Sequence, residues 1–92
     1  MQAARLRIVG RVQGVGYRDW AIRTARTLGL RGWVRNRTDG SVEVLIAGDE
    51  AAVSAMIDAC RRGPSHGRVD NVDVQSADAT GLPDRFTQLP TA

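Results

Sequence analysis

The first strand of the chain is predicted by a strict alternation of side chains over residues 5–12. One face carries Leu6, Ile8, Gly10 and Val12, and the other carries Arg5, Arg7, Val9 and Arg11. A period of two residues is typical of a half-buried strand, because successive side chains point to opposite faces. We therefore expect the arginine face of this strand to meet water.

A helix is predicted after this strand, across a short segment that contains two glycines. Apolar or small residues recur there at helical spacing, at Tyr17, Ala21, Thr24, Ala25 and Leu28. Gly29 follows the last of them, and a glycine at that position commonly ends a helix. The predicted order is strand, glycine loop, helix.

Two further strands are predicted as a hairpin. Residues 32–37 and 41–47 read as strands, and residues 38–40, Thr-Asp-Gly, have the chemistry of a turn. We expect alternate side chains of the second strand to face the core, namely Val42, Val44 and Ile46.

A second helix is predicted from Asp49, a residue type suited to the N-cap position. Its apolar stripe is formed by Val53, Met56, Ile57 and Cys60. Residues 61–64, Arg-Arg-Gly-Pro, close the helix with cations and helix breakers. Cys60 is therefore expected in the core.

The last part of the chain carries weaker patterns. Val72 and Val74 indicate a fourth strand, and Val69 is out of phase with them, which predicts a bulge or an offset start. Phe86 fits a short edge strand, and the polar tail after it is expected to be loose.

The order strand, helix, strand, strand, helix, strand is the βαββαβ pattern of the ferredoxin-like α+β fold, in which two helices cover one face of an antiparallel sheet. Residues 1–92 are expected to form a single domain, because a chain of 92 residues has room for one hydrophobic core. This fold hosts many unrelated activities, so function has to be argued from particular residues.

Composition excludes several classes of protein. The chain has one cysteine, which rules out a disulfide framework and a zinc site of several thiolates. It has no apolar run long enough for a signal peptide or a membrane span. These features favour a cytoplasmic protein.

The charged residues leave two interpretations open. All thirteen basic side chains are arginines, against ten acidic ones, and the net charge is +3. One is compositional drift, and the other is recognition of phosphate or carboxylate through planar guanidinium forks; the two are compatible. We expect Arg35 and Arg37 on a solvated strand face.

The glycine loop is the candidate anion site, and it consists of Gln13, Gly14, Val15, Gly16 and Tyr17. Glycines allow successive N–H groups to form a concavity, and the following helix adds unpaired donors and its positive dipole end. Arg18 follows on the first helical turn, where its guanidinium can bind two oxygens of one anion. The alternative is a loop that serves only as a tight turn, with Arg18 as a solvated charge.

Two nucleotide-binding motifs are absent from this loop. It lacks the Gly-Lys-Ser/Thr of a Walker A motif, and it lacks the Gly-x-Gly-x-x-Gly spacing of a dinucleotide site. Nucleotide binding is therefore disfavoured.

Two segments of the chain together resemble the signature segments of the acylphosphatases: GRVQGVGYR at residues 10–18 and GWVRNRTDGSV at residues 32–42. The resemblance covers nearly the whole chain, and it implies hydrolysis of acyl phosphates, the mixed anhydrides of a carboxylic acid and phosphoric acid, without metal or cofactor. It further implies that Arg18 binds the phosphoryl group, that the loop backbone holds phosphate and that Asn36 positions the attacking water. Tyr17 stands where the family usually has Phe, and its phenol is expected near the loop or in solvent.

This reaction needs few catalytic groups, because an acyl phosphate already has a good leaving group. Positioning of water and compensation of phosphoryl charge are sufficient. An amide is a poor base, so we expect the proton of the water to pass to a phosphoryl oxygen. Asp19 and Asp39 are the nearest candidate bases, but a carboxylate repels a bound phosphate, and Asp19 suits the first turn of a helix.

The expected partner is a small acyl phosphate, with phosphate or sulfate as competing anions, and the protein is expected to be a monomer that binds neither nucleic acid nor membranes. Two other classes stay open. An RNA-binding module of this topology stacks bases on aromatic side chains of its central strands, and residues 5–12 and 41–47 contain none. A domain of a larger carbamoyl-transfer assembly would use the same loop, but the short chain favours a free-standing enzyme.

Overall fold

The computed structural model describes residues 1–92. Its elements are β1 (Gln2–Arg11), α1 (Tyr17–Thr27), β2 (Arg31–Asn36), β3 (Val42–Gly48), α2 (Glu50–Arg62), β4 (Arg68–Ser76) and β5 (Phe86–Gln88). The first six elements have the predicted βαββαβ order, which confirms the ferredoxin-like α+β fold, and β5 is the short last strand expected at Phe86. Neither helix has the length and apolar composition needed to cross a membrane.

The sheet has the strand order β4-β1-β3-β2-β5. β1 pairs antiparallel with β3 and β4, and β2 pairs antiparallel with β3, but β2 and β5 are parallel. The sheet is therefore mixed, and the expectation of a purely antiparallel sheet is wrong at this edge. After β4 the chain reverses and crosses to the opposite edge, so its last strand runs in the same direction as β2.

The core lies between the sheet and the two helices. The alternation predicted for β1 is confirmed, since Leu6 and Ile8 are fully buried while Arg5 and Arg7 are exposed. The helix residues buried against this face are Tyr17, Ala21, Ala25, Val53, Met56, Ala59 and Cys60. Burial of each large apolar side chain stabilises the fold by about 1.5–3 kcal/mol. Cys60 belongs to this core, as its position on the helical stripe predicted.

A bulge between β1 and β4 accounts for the phase of Val69. Val9 lies opposite Asn71, and Gly10 lies opposite Val69, so Asp70 is the extra residue on β4. The predicted bulge is confirmed. It lies near the end of β1, just before the chain enters the glycine loop.

Asp49 occupies the N-cap position of α2, as predicted, but its side chain makes no capping hydrogen bond. The helix instead starts with the N–H of Val53 donating to the Asp49 carbonyl at 2.9 Å. The Asp49 carboxylate contributes only through its charge at the positive end of the helix.

The tail after β5 is hydrogen-bonded to β2, so the expectation of a loose tail is wrong. The N–H of Leu89 donates to Val34 at 2.9 Å, and the N–H of Ala92 donates to Asn36 at 3.0 Å. Thr38 N–H donates back to the Ala92 carbonyl at 2.9 Å. The outer edge of β2 has N–H and C=O groups that need partners, and the tail supplies them.

Candidate active site

The loop between β1 and α1 presents a run of unpaired N–H groups. Gly14 and Gly16 adopt left-handed backbone angles, with φ of 74° and 81°. Residues other than glycine rarely adopt these angles. The N–H groups of residues 13–16 donate to no other backbone group. Gly16 is the N-cap of α1 and offers no side chain to cap it. The first-turn amides therefore stay free, at the positive end of the helix dipole.

A small cavity of about 170 Å³ opens onto this loop. It is lined by Val12, Gly14, Gly16, Tyr17, Arg18, Asp19, Asn36 and Gln88. The fold thus brings together the predicted loop, the predicted arginine and the predicted asparagine, although they come from two separate segments of the chain. They meet because β1 and β2 both flank β3 and run in the same direction. The loop after β1 and the last residue of β2 therefore lie at the same end of the sheet.

Arg18 lies on the first turn of α1 and is half-buried. Its guanidinium forms no ion pair and no hydrogen bond with the rest of the chain. All of its donors are therefore available to an anion in the cavity. Asp19 follows it on the same turn, as expected for an acidic residue near a helix N-terminus, and also lines the cavity.

Asn36 is the last residue of β2, and its side chain lines the cavity opposite the loop residues. The Oδ1 atom is buried and has no hydrogen-bond partner in the chain. A buried acceptor without a partner costs about 1–3 kcal/mol. Asn36 therefore has an amide acceptor without a partner, and the residue lines the same cavity as the glycine loop.

Two glutamines of the site were not recognised from the sequence as side chains of interest. Gln88 lines the cavity from β5, and no sequence pattern predicts that this strand pairs with β2. Gln13 was expected to contribute only its backbone, but its side-chain Nε2 donates to the carbonyl oxygens of Arg37 at 2.7 Å and Ser41 at 2.8 Å.

The phenol of Tyr17 points neither to the loop nor to solvent, in contrast to both expectations. Tyr17 is buried, and its hydroxyl donates to the carbonyl of Cys60 at 2.9 Å. Burial raises the pKa of this phenol well above its usual range. Burial also raises the pKa of the Cys60 thiol to about 11. Neither group therefore ionises near neutral pH, and the hydrogen bond from Tyr17 to the Cys60 carbonyl ties α1 to α2.

Asp39 is held away from the cavity by its own hydrogen bonds. Its carboxylate accepts from the Ser41 hydroxyl at 2.6 Å, the Ser41 N–H at 2.9 Å and the Arg7 guanidinium at 2.8 Å. These donors, the Ser41 hydroxyl foremost, hold the pKa of Asp39 below its usual range. No cluster of three or more metal-ligating side chains occurs in the structure.

A wider concavity of about 540 Å³ lies on the sheet face that the helices leave uncovered. At its centre the nearly buried Glu43 is within 2.7 Å of Arg35, 3.1 Å of Arg37 and 3.5 Å of Arg5. Arg35 and Arg37 are therefore paired with a carboxylate rather than simply solvated. The arginines of this concavity are all paired with carboxylates, whereas the smaller cavity has free N–H donors and an unpaired arginine.

The fold and the smaller cavity together define a ferredoxin-like α+β domain with a candidate anion site at a strand-to-helix turn. A family model described as Acylphosphatase matches residues 4–88. The chain is 53% identical over 91 residues to an acylphosphatase of Rhodospirillum rubrum, and the match covers 99% of each chain. The crystal structure of acylphosphatase from Bacillus subtilis is similar over 97% of this chain and 99% of that one, with a TM-score of 0.91 and 36% identity. The chain therefore belongs to the acylphosphatase family, and it is a hydrolase that acts on acyl phosphates.

A much longer protein contains a similar unit. The crystal structure of full-length HypF matches 98% of this chain but only 12% of that one, with a TM-score of 0.88 and 26% identity. The Rhodospirillum rubrum relative, in contrast, has nearly the same length as this chain.

Proposed function

We propose that this chain hydrolyses acyl phosphates without a metal ion, in the cavity of about 170 Å³ between the glycine loop and Asn36. The oxygen of a water molecule attacks phosphorus, and the carboxylate leaves with the electron pair of the broken P–O bond. A proton of the water passes to a phosphoryl oxygen. The observation that carries the proposal is the meeting of unpaired loop amides, an unpaired arginine and an unused amide acceptor in one cavity.

Charge compensation is the first requirement of the proposed reaction. The loop amides and the first turn of α1 donate to phosphoryl oxygens, and Arg18 adds a two-point contact. Because these donors are already free in the folded protein, little rearrangement is needed when the substrate binds. The same donors recognise inorganic phosphate and sulfate, so both ions are expected to compete with substrate.

Water positioning is the second requirement, and it falls to Asn36. The Oδ1 atom is buried where it lies, so it accepts a hydrogen bond from water after a half-turn of the amide that exchanges Oδ1 and Nδ2. Asn36 orients the water but does not take its proton, since an amide is a poor base. Neither nearby aspartate is expected to act as the base. The Asp39 carboxylate is hydrogen-bonded to Ser41 and Arg7 outside the cavity, and the Asp19 carboxylate would repel a bound phosphate.

Replacement of Asn36 by alanine is expected to lower kcat about 10²-fold, because one positioned contact to the attacking water is lost. The inhibition constant for phosphate should change little, since the loop and Arg18 hold the anion. Asn71→Ala, at an exposed asparagine of β4, is the matched control and should behave as wild type. A variant that hydrolyses normally but binds phosphate poorly would assign Asn36 the opposite role.

The experiment that tests the proposed function compares two classes of phosphate compound in the presence of a chelator. Acetyl phosphate and an aryl phosphate monoester are supplied at equal concentration, and phosphate release is followed from each. Acetyl phosphate should react rapidly and the monoester very slowly, because no residue in the proposed mechanism protonates a poor leaving group. Comparable rates, or loss of acetyl phosphate hydrolysis on chelation with recovery on added metal, would contradict the mechanism.

We expect little selectivity for the acyl group, since all proposed contacts between the protein and the substrate are to the phosphoryl group. Several acyl phosphates of different size should therefore show similar kcat/KM. We further propose that residues 1–92 act as one domain and as a monomer in the cytoplasm, without contact to nucleic acid.

A further inference from the structure

One side chain joins the two halves of the candidate site. Gln13 opens the glycine loop, and both of its side-chain hydrogen bonds cross to the turn that follows Asn36, at Arg37 and Ser41. The two donor-to-acceptor distances are 2.7 and 2.8 Å, and the group is partly buried. No other side-chain hydrogen bond connects residues 13–16 with this turn.

The two acceptors of Gln13 are the carbonyl groups that close the turn between β2 and β3. The Ser41 carbonyl also accepts from the N–H of Arg37 at 2.8 Å, and the Arg37 carbonyl also accepts from the N–H of Gly40 at 3.1 Å. Gln13 therefore binds the rigid base of the turn rather than its tip. Asn36 is the residue directly before that base and pairs with Val42 directly after it.

We propose that Gln13 is a positioning residue that sets the distance and orientation between the phosphate-binding loop and Asn36. The inference rests on the proposed function, in which the loop holds phosphorus and Asn36 holds the water. An amide carries two N–H donors on one nitrogen, and here each donor meets one carbonyl of the turn. Loss of this bridge frees the loop to shift against β2 and removes the in-line arrangement of water and phosphorus. A misplacement of about 1 Å costs on the order of 10²-fold in rate.

Gln13→Met is the first variant, because methionine has a similar length and no N–H donor. We expect kcat for acetyl phosphate to fall about 10- to 100-fold, with a change of less than about 3-fold in the inhibition constant for phosphate, since the anion donors belong to the loop and Arg18. Gln75→Met, at an exposed glutamine of β4, is the matched control and should leave both constants unchanged.

A double-mutant cycle with Asn36→Ala distinguishes positioning from a general structural role. If Gln13 acts through Asn36, the loss of kcat caused by Gln13→Met should largely disappear in the Asn36→Ala background. An equal loss in both backgrounds would overturn the proposal, as would an unchanged kcat or a phosphate constant that weakens as much as kcat falls. If Asn36→Ala by itself has no effect, the proposed function fails instead.

Gln13→Glu is the second variant, since it keeps the shape of the side chain but places an acceptor against two carbonyl oxygens. We expect it to lower kcat at neutral pH at least as much as Gln13→Met, while circular dichroism and the melting temperature report whether the fold is kept. Loss of folding in both variants would mean that the bridge maintains the fold rather than the site, and the proposal would be wrong.

Discussion

Arg18→Lys is expected to fold normally and to lose nearly all hydrolysis of acyl phosphates, with kcat/KM reduced by about 10³-fold or more. An ammonium group is a compact point charge and does not reproduce the two-point contact of a guanidinium with phosphoryl oxygens. The loss is expected in full because Arg18 has no partner in the chain, so no internal interaction is exchanged for the one with substrate.

The measurement is the initial rate of phosphate release from acetyl phosphate, together with a thermal melt of each variant. Arg23→Lys provides the control, because Arg23 is an exposed arginine on the same helix and lies outside the cavity. A rate for Arg18→Lys close to that of wild type would exclude Arg18 from the site. A fall in melting temperature that accompanies the loss of activity would indicate a role in folding instead.

Gly32→Ala is expected to destabilise the fold strongly. Gly32 lies in β2 opposite Ile46, with φ of 134°, a region that side chains rarely adopt. A Cβ atom at this position would overlap the carbonyl oxygen of Leu45 in the neighbouring strand. Because Leu45 belongs to the central strand β3, neither backbone can move without breaking the pairing of the sheet.

The expected loss of stability for Gly32→Ala is about 4 kcal/mol or more, which combines backbone strain with the overlap. The total stability of a small domain is about 5–15 kcal/mol, so the loss is a large fraction of it. Chemical denaturation followed by circular dichroism measures the effect. Gly81→Ala is the control, because φ is 80° there and a Cβ meets nothing within 4 Å, so only the strain of about 1–3 kcal/mol is expected. Equal stability of the Gly32 variant and wild type would contradict the close approach of β2 and β3.

Local sequence patterns predicted most of the helices and strands, because these elements follow from the period of the apolar residues and from the stiffness of the chain. The alternation along β1, the stripe that contains Cys60 and the phase of Val69 each depend on residues within one element or its neighbour. The glycine loop and Arg18 were likewise recognisable, since backbone angles and helix-end chemistry are local properties. What these patterns missed at β5 depends on a distant segment, namely its parallel pairing with β2 and the hydrogen bonds of the tail.

The pairing of β5 with β2 at the edge of the sheet could not be predicted from the sequence. Residues 86–88 predict a short strand but carry no signal for their partner, and the parallel pairing with β2 follows from which edge is free. The same pairing brings Gln88 into the cavity and bonds the tail to the end of β2.

The sequence by itself determined the order of the elements, the glycine loop that we propose as the anion site and the position of Arg18 and Asn36 in two separate signature segments. Tertiary structure alone decided that these segments meet in one cavity, that Tyr17 turns its hydroxyl to Cys60 and that Gln13 bridges the loop to the turn after Asn36. The physical reason is distance along the chain. Periodicity reports how a residue lies relative to its neighbours, whereas a hydrogen bond between residues 24 to 43 positions apart depends on how whole strands and helices pack.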